Sequence, residues 1–216
     1  MKLLLPLALF VPLSSSAVAA TLASYNFTTS PFLAPTTVGA NVSASNVGID
    51  QGSNPPSVPS SISTNVTTGS YFPNEPYIQG SQGWNQPTQN DAKSFTITIT
   101  ADPGFEFSLD SVFFRAYATE KGPSAIGIAV NSSNIFAMSI PLETLTVVNE
   151  TVGQTGLTSA TIYLQGWDNG STATDGKGGF RLDDVLISGE VTAIIPEPTS
   201  ALLASLGLLG LLRRRR

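Results

Sequence analysis

Alternation of apolar residues with hydroxyl-bearing residues is the feature of this sequence that most restricts its fold. The clearest window is Ser94–Thr100, SFTITIT, in which Phe95, Ile97 and Ile99 alternate with serine and threonine. Because successive side chains of a strand point to opposite faces of a sheet, this period of two predicts a β-strand with one buried face. The tetrapeptide ADPG at 101–104 then predicts a turn, since proline fixes φ and glycine allows a positive φ.

The same alternation recurs along the chain and predicts about eight strands. The further candidates are Phe105–Leu109, Val112–Tyr117, Ile126–Val130, Leu145–Val148, Thr158–Trp167 and Gly179–Glu190, with weaker ones at Leu22–Phe27 and Val38–Val47. Few windows show the apolar period of 3.6 that marks an amphipathic helix. The pattern predicts an all-β body, a two-sheet antiparallel sandwich, with a jelly roll as the leading topology and an immunoglobulin-like sandwich as the second.

The first residues have the parts of a secretory signal peptide. Lys2 precedes an apolar core from Leu3 to Leu13, and small residues follow at 17–20. We expect signal peptidase to cut after Ala19, with a cut after Ala20 nearly as good. An uncleaved anchor is the alternative, but this apolar core is short for a span of ~20 residues. The expected organisation is a signal peptide at 1–19, a sandwich domain at 20–192 and a tail at 193–216.

Charge and residue types argue against several classes of function. Between Ala20 and Ile195 the chain has 5 Lys and Arg against 14 Asp and Glu, a net charge of −9. Such an acidic body is not suited to nucleic acid, whose phosphates require clustered Lys and Arg. The chain has no Cys and no His, so it lacks disulfides, the commonest zinc ligands and the usual nucleophile–base pairs. We therefore expect a protein that is not an enzyme, and a carboxylate-based glycan-degrading enzyme is the second alternative.

The tail has three parts. A Pro-Glu-Pro tripeptide at 196–198 precedes fourteen uncharged residues, 199–212, and the last four positions are Arg213, Arg214, Arg215 and Arg216. As a C-terminal apolar helix, the uncharged part would be ~21 Å long at about 1.5 Å per residue, which is short of a ~30 Å hydrocarbon core. The arginines would stay in the cytoplasm as a stop-transfer cluster under the positive-inside rule.

This tail resembles the PEP-CTERM sorting signal of exported bacterial proteins. The resemblance implies that an exosortase recognises Pro196, Glu197 and Pro198, and that Leu202–Leu212 anchors the chain in the membrane transiently. It also implies export through the inner membrane to the cell envelope, the cell surface or an exopolysaccharide matrix. The leading prediction is therefore a structural or adhesive sandwich body that is sorted through its tail, with exopolysaccharide as a partner.

A polar, glycine-rich loop and the strand after it hold the acidic candidates. Strict alternation places Phe180, Asp184 and Leu186 on one face and Asp183 on the other, so one carboxylate points toward the core and needs a hydrogen bond, a charged partner or a metal. This ending resembles the last strand of jelly-roll carbohydrate-binding and lectin-like domains, which implies a structural calcium ion. The candidate ligands are Asp168, Asp175, Asp183 and Asp184. The alternative is ordinary turn chemistry together with an Asp that caps the strand or pairs with Arg181.

The strand Thr158–Trp167 supplies a candidate sugar-binding face. Opposite its apolar face lie Tyr163, Gln165 and Trp167, and Trp84 from an earlier loop could join them. Aromatic rings beside polar side chains can stack on sugar rings. The first alternative function is therefore a calcium-supported carbohydrate-binding module. The structural alternative is that Trp167 packs at the edge of the sandwich and Trp84 pins a long loop.

Overall fold

The computed structural model describes residues 19–27, 33–50, 77–81, 84, 88–89, 91, 93–167 and 178–194. These residues form thirteen β-strands and no helix. The strands are β1 Ala20–Tyr25, β2 Thr37–Val38, β3 Val42–Ala44, β4 Gly48–Asp50, β5 Ile78–Ser81, β6 Ser94–Ala101, β7 Phe105–Ala118, β8 Ala125–Val130, β9 Ser133–Ser139, β10 Leu145–Leu157, β11 Ser159–Trp167, β12 Gly179–Gly189 and β13 Val191–Ala193.

The strands form two antiparallel sheets, which confirms the predicted sandwich. Sheet A has the order β10-β7-β12-β1-β2, with β5 also paired to β12 and β13 to β7. Sheet B has the order β3-β6-β11-β8-β9, with β4 also paired to β6. Every ladder between these strands is antiparallel.

The order of the eight principal strands is that of a jelly roll. Their pairs nest along the chain: β8 pairs with β9, β7 with β10, β6 with β11, and β1 with β12. Successive pairs alternate between the sheets, so a single long antiparallel hairpin is wrapped into two four-stranded layers. The leading topology of the sequence analysis is therefore the observed one.

The core lies between the two sheets and is built by the predicted alternation. In β6, Phe95, Ile97 and Ile99 are fully buried, and the hydroxyl residues between them lie on the outer face. In β11, Ile162 and Leu164 face the same core, as predicted. Full burial of a side chain of this size contributes roughly 1.5–3 kcal/mol, so the alternating residues supply much of the driving force for folding.

Two strands are longer than the sequence pattern predicts. β7 runs without a break through Asp110 and Ser111, which were expected to separate two strands. β10 continues to Leu157, well beyond the predicted end at Val148. Gly153 and Gly156 have positive φ in β10, and the register with β7 shifts at both sites. These bulges interrupt the alternation without ending the strand. Alternation alone therefore predicts a β10 that is too short.

The predicted ends of the sandwich domain lie close to the outermost strands. β1 begins at Ala20, which pairs with Gly189, so a cut after Ala19 would leave β1 complete. β13 ends at Ala193, and the Ile194 amide donates to the Gly104 carbonyl. The predicted tail helix lies outside the described residues. Within the described part of the chain, no helix has the length and apolar character needed to cross a membrane.

Candidate functional site

A β-bulge in β12 determines where its acidic pair points. Asp183 pairs with Arg115 and Leu186 pairs with Phe113, so β12 has one residue more than β7 between these pairs. Asp184 occupies the extra position with φ of 50°, a left-handed conformation that aspartate tolerates better than most residues. The bulge corrects the predicted faces, because Val185 rather than Leu186 follows Leu182 into the core.

Arg115 of β7 holds both carboxylates of this pair. Its Nη2 lies 2.6 Å from Asp183 Oδ2 and 2.9 Å from Asp184 Oδ2. Asp183 is almost fully buried, whereas the side chain of Asp184 is 47% exposed. An ion pair with Arg181 was the expected alternative, and the structure corrects the partner to Arg115. The reason is register, since Arg115 is directly opposite Asp183 across the ladder.

Burial controls the electrostatics of Asp183. Desolvation raises the pKa of its carboxyl group to about 6, and the nearby Asp184 carboxylate adds to this rise. The Asp184 amide, which donates to Asp183 Oδ1 at 2.8 Å, and the Arg115 guanidinium both lower the pKa, but they offset the desolvation only in part. Asp183 is thus a group whose charge changes close to neutral pH.

A second arginine lies beside this cluster on the outer face of sheet A. The Arg181 guanidinium carbon lies 4.8 Å from the centroid of the Tyr77 ring and 5.4 Å from that of Tyr117. Both rings are buried, and contacts of this geometry are cation–π interactions. Sequence reasoning missed Arg115, Tyr77 and Tyr117 as partners. The alternation in VFFRAY, 112–117, could have placed Arg115 and Tyr117 on one face.

The calcium hypothesis rests partly on residues outside the described ranges. Asp168 and Asp175 are among them, so only Asp183 and Asp184 can be placed. The described residues contain no group of three or more Asp, Glu, His or Cys side chains arranged to hold a metal ion. Because Arg115 already lies against Asp183 and Asp184, a cation at this pair would have to compete with a guanidinium. Calcium binding by the four aspartates stays a prediction.

The predicted sugar-binding face of β11 is on the outer side of sheet B, but one end of it is covered. Gln165 is buried, and its Nε2 donates to Asp91 Oδ1 at 2.5 Å. Trp167 is also buried and packs over Gly127, where an added Cβ would lie 3.0 Å from the Trp167 ring. The expectation that these side chains face solvent is therefore corrected, and Tyr163 alone among the three is partly exposed.

Trp84 lies in the core rather than beside Tyr163. Its ring is edge-on to Phe180 of sheet A, with 5.1 Å between the ring centroids. It is tilted against Phe95 of sheet B, with 5.7 Å between the centroids. This position corrects the expectation that Trp84 joins an exposed aromatic face, because a large ring gains more from burial between the sheets than from solvent contact. Sugar contact by any of the four predicted residues stays untested.

The open part of the outer face of sheet B is lined by hydroxyl groups. Thr98 Oγ1 lies 3.1 Å from Thr161 Oγ1, and Thr100 Oγ1 lies 3.4 Å from Ser159 Oγ. Tyr163 pairs with Thr96 at the next position on this face. We call Thr98, Thr100, Ser159, Thr161 and Tyr163 the hydroxyl face. These five residues lie on β6 and β11, which contain no Asp, Glu, Lys or Arg, so the hydroxyl face itself is uncharged.

Two of the solved structures that this chain matches show how weak the likeness is. One is the CBM22-1 xylan-binding domain of Paenibacillus barcinonensis Xyn10C, with 12% identity and a TM-score of 0.37 over 84% of this chain and 99% of that one. The other is an acetyl xylan esterase, Est2A, from the rumen bacterium Butyrivibrio proteoclasticus, with 10% identity and a TM-score of 0.32 over 56% of this chain. The likeness spans 31% of the esterase chain. A search of curated proteins gave no match.

Comparison with protein families gives a match at the tail. Residues 195–216 match the PEP-CTERM protein-sorting motif. The match covers the tripeptide Pro196, Glu197 and Pro198, the apolar segment and the arginine cluster, all of which lie outside the described residues. The motif indicates export and association with the cell envelope or surface, and it implies processing by an exosortase. The chain therefore carries, in residues 195–216, a PEP-CTERM protein-sorting motif.

Proposed function

We propose that this protein is a structural or adhesive component of the cell envelope or its surrounding matrix. In this proposal an exosortase processes the tail, and the jelly-roll body binds matrix glycan through the hydroxyl face without turning it over. The observation that carries the proposal is the uncharged hydroxyl face of sheet B on a chain that also has a sorting motif.

The chemistry of the hydroxyl face favours a neutral polysaccharide as its ligand. Threonine and serine hydroxyls can both donate to and accept from sugar hydroxyls. The partly exposed Tyr163 ring offers a surface on which a sugar can stack. The body has a net charge of −9, so an acidic glycan would be repelled overall, whereas a neutral chain on the hydroxyl face would meet the uncharged strands β6 and β11.

The charged residues of sheet A support binding or structure more than catalysis. Asp183 and Asp184 share one guanidinium, and the Arg181 guanidinium lies between two tyrosine rings. Arg115 of β7 is thereby held against β12, and Arg181 of β12 is held against Tyr117 of β7 and against Tyr77. Hydrolysis of a glycoside needs two carboxyl groups on opposite sides of the scissile bond, and the carboxylates of this pair lie side by side on one guanidinium. A non-enzymatic role is part of the proposal.

Removal of the hydroxyl face tests this function. We expect the double variant Thr98→Val, Thr161→Val to keep the strands, because valine is a good strand former of nearly the same shape. Each lost hydrogen bond costs about 1 kcal/mol, so, combined with Tyr163→Ala, binding to neutral polysaccharide should weaken by at least about tenfold. Affinity electrophoresis of the full chain through gels that contain neutral or acidic polysaccharides, including the native matrix glycan, measures this.

A matched control uses two exposed strand threonines of sheet A, Thr37→Val and Thr192→Val, which should leave binding unchanged. Equal retention of the hydroxyl-face variant and this control would contradict the proposed binding face. A wild-type chain that no glycan retards would contradict adhesion to glycan altogether. Release of oligosaccharides from the panel would favour the glycan-degrading alternative instead.

A further inference from the structure

β10 is an edge strand of sheet A with an unusually open segment. It is hydrogen-bonded to β7 along one side, and no described strand pairs with its other side. The register with β7 is unbroken from Leu145 to Thr151, before the bulges at Gly153 and Gly156 disturb it. An edge of this kind presents a row of backbone N–H and C=O groups that can pair with another strand. We call Leu145–Thr151 the open edge.

The open edge lacks the features that usually protect edge strands. Its sequence, LTVVNET, contains one charged residue, Glu150, and no lysine or proline. The two bulges that could twist an edge away from a partner lie beyond it. Val147 is 59% exposed and Leu145 is 39% exposed, and few other large apolar residues of the described chain reach such values. An edge with a single charged residue and exposed apolar residues favours strand pairing.

We infer that the open edge pairs with the same segment of a second copy of this chain, in an antiparallel arrangement that joins the two A sheets. The segment is self-complementary about a two-fold axis at Val148. In that register Val147 lies opposite Asn149 of the other copy, Leu145 opposite Thr151, and Glu150 opposite Thr146. No two carboxylates face each other, and a closed dimer results because the interface is the same patch on both copies.

The negative charge of the body is not concentrated at this edge. The body carries a net charge of −9, and most of the strand charges of sheet A lie on β7 and β12 rather than at the edge. The pairing of seven residues aligns about 23 Å of backbone, at roughly 3.3 Å per residue. It would also bring Val147 of each copy into the same interface. This inference does not depend on glycan binding, because the hydroxyl face belongs to the other sheet.

Sedimentation velocity of the full chain in mild detergent tests for association, and the variant Val147→Lys tests its location. We expect wild type to form a dimer as its concentration rises. The variant should stay monomeric over the same range, because a lysine at an edge opposes strand pairing. The control Thr100→Lys, on the exposed outer face of sheet B, should dimerise like wild type. A wild type that is monomeric throughout, or a Val147→Lys variant that dimerises normally, would overturn the inference.

Spin labels test the register independently of the folding of any charged variant. Because the chain has no native cysteine, a label at Thr151→Cys would be its single reactive thiol. The axis at Val148 separates the two labels by six residues along the strands, so their backbones should be about 20 Å apart. If pulsed electron paramagnetic resonance finds a distance near this value between the two labels, the pairing is supported. A dimer without this distance, such as one that the apolar tail mediates, would refute it.

Discussion

Asp183 is a buried carboxyl group whose neighbours act on its pKa in opposite directions. Burial and the Asp184 carboxylate raise the pKa, and the Asp184 amide and Arg115 lower it, with a result of about 6 against the ordinary 3.8. A raised pKa in the folded state means that folding takes up a proton between these two values. The stabilisation from this group is therefore complete below about pH 4 and is lost as the pH rises through about 6.

The variant Asp183→Asn tests this residue-scale interpretation. Asparagine does not titrate, so the difference in unfolding free energy, wild type minus variant, should be larger at pH 4 than at pH 7. Urea unfolding at several pH values between 4 and 7 measures the difference. In Arg115→Met the midpoint of the same pH dependence should move to higher pH, because the guanidinium that lowers the pKa is gone. A difference that is constant from pH 4 to pH 7 would contradict the raised pKa.

Single residues also show which features the local sequence does not determine. Trp84 and Trp167 both stand in polar, glycine-containing surroundings in the sequence. One packs between the sheets on Phe95 and Phe180, and the other packs on the outside over Gly127. The two glycine-rich contexts give the same local signal, and only the path of the chain decides which side of sheet B each ring occupies.

At the scale of elements, the turn between β8 and β9 has a specific backbone requirement. Its two central residues, Asn131 and Ser132, have φ of 49° and 65°, as in the two-residue hairpin turn of type I′. Asn131 suits the turn, and its Oδ1 accepts a hydrogen bond from the Thr161 amide at 2.9 Å. Ser132 suits it less well, because serine has a Cβ that crowds the left-handed conformation.

The variant Ser132→Gly should therefore stabilise the protein, by about 0.5–1 kcal/mol, because glycine has no Cβ to strain at a positive φ. Urea unfolding of the variant and wild type measures this change. The control Ser133→Gly lies in the first position of β9, where glycine should lower the unfolding free energy instead. If both glycines destabilise by similar amounts, the turn is not of the type I′ class.

The bulge in β12 shows the limit of periodicity for an element. Strict alternation placed Leu186 on the same face as Phe180, whereas the extra residue at Asp184 puts Val185 and Ile187 into the core with Phe180 instead. A bulge changes the face of every residue after it. No glycine marks this bulge, so the sequence contains no local signal for it, whereas the bulges of β10 occur at Gly153 and Gly156.

For the whole molecule, the sorting motif makes a prediction about the mature chain. We expect the protein recovered from the envelope or the medium to begin at Ala20 and to end near the tripeptide. The variant Pro196→Ala, Glu197→Ala, Pro198→Ala should keep its tail to Arg216, because an exosortase would no longer recognise it. Intact-mass analysis of both proteins measures this.

The matched control is Ser200→Ala, which changes the tail outside the tripeptide and should be processed like wild type. If wild type and the triple variant both retain Arg216 in the inner membrane, the tail acts as a simple anchor. That outcome would remove the exosortase from the proposal and would leave the binding face of sheet B to be judged by its own experiment.

The sequence by itself determined the all-β character of the body and the presence of the sorting motif. Both signals are local, because alternation occurs within consecutive residues such as Ser94–Thr100 and the motif lies within residues 195–216. The sequence also favoured a jelly roll, which the strand order confirms. Tertiary structure alone decided the partner of Asp183, the burial of Trp84 and the neutral hydroxyl face. Each of these depends on contacts between segments that are far apart in the chain, as with Arg115 and Asp183, which are 68 residues apart. The register that brings such residues together is fixed by bulges and by packing of the whole core.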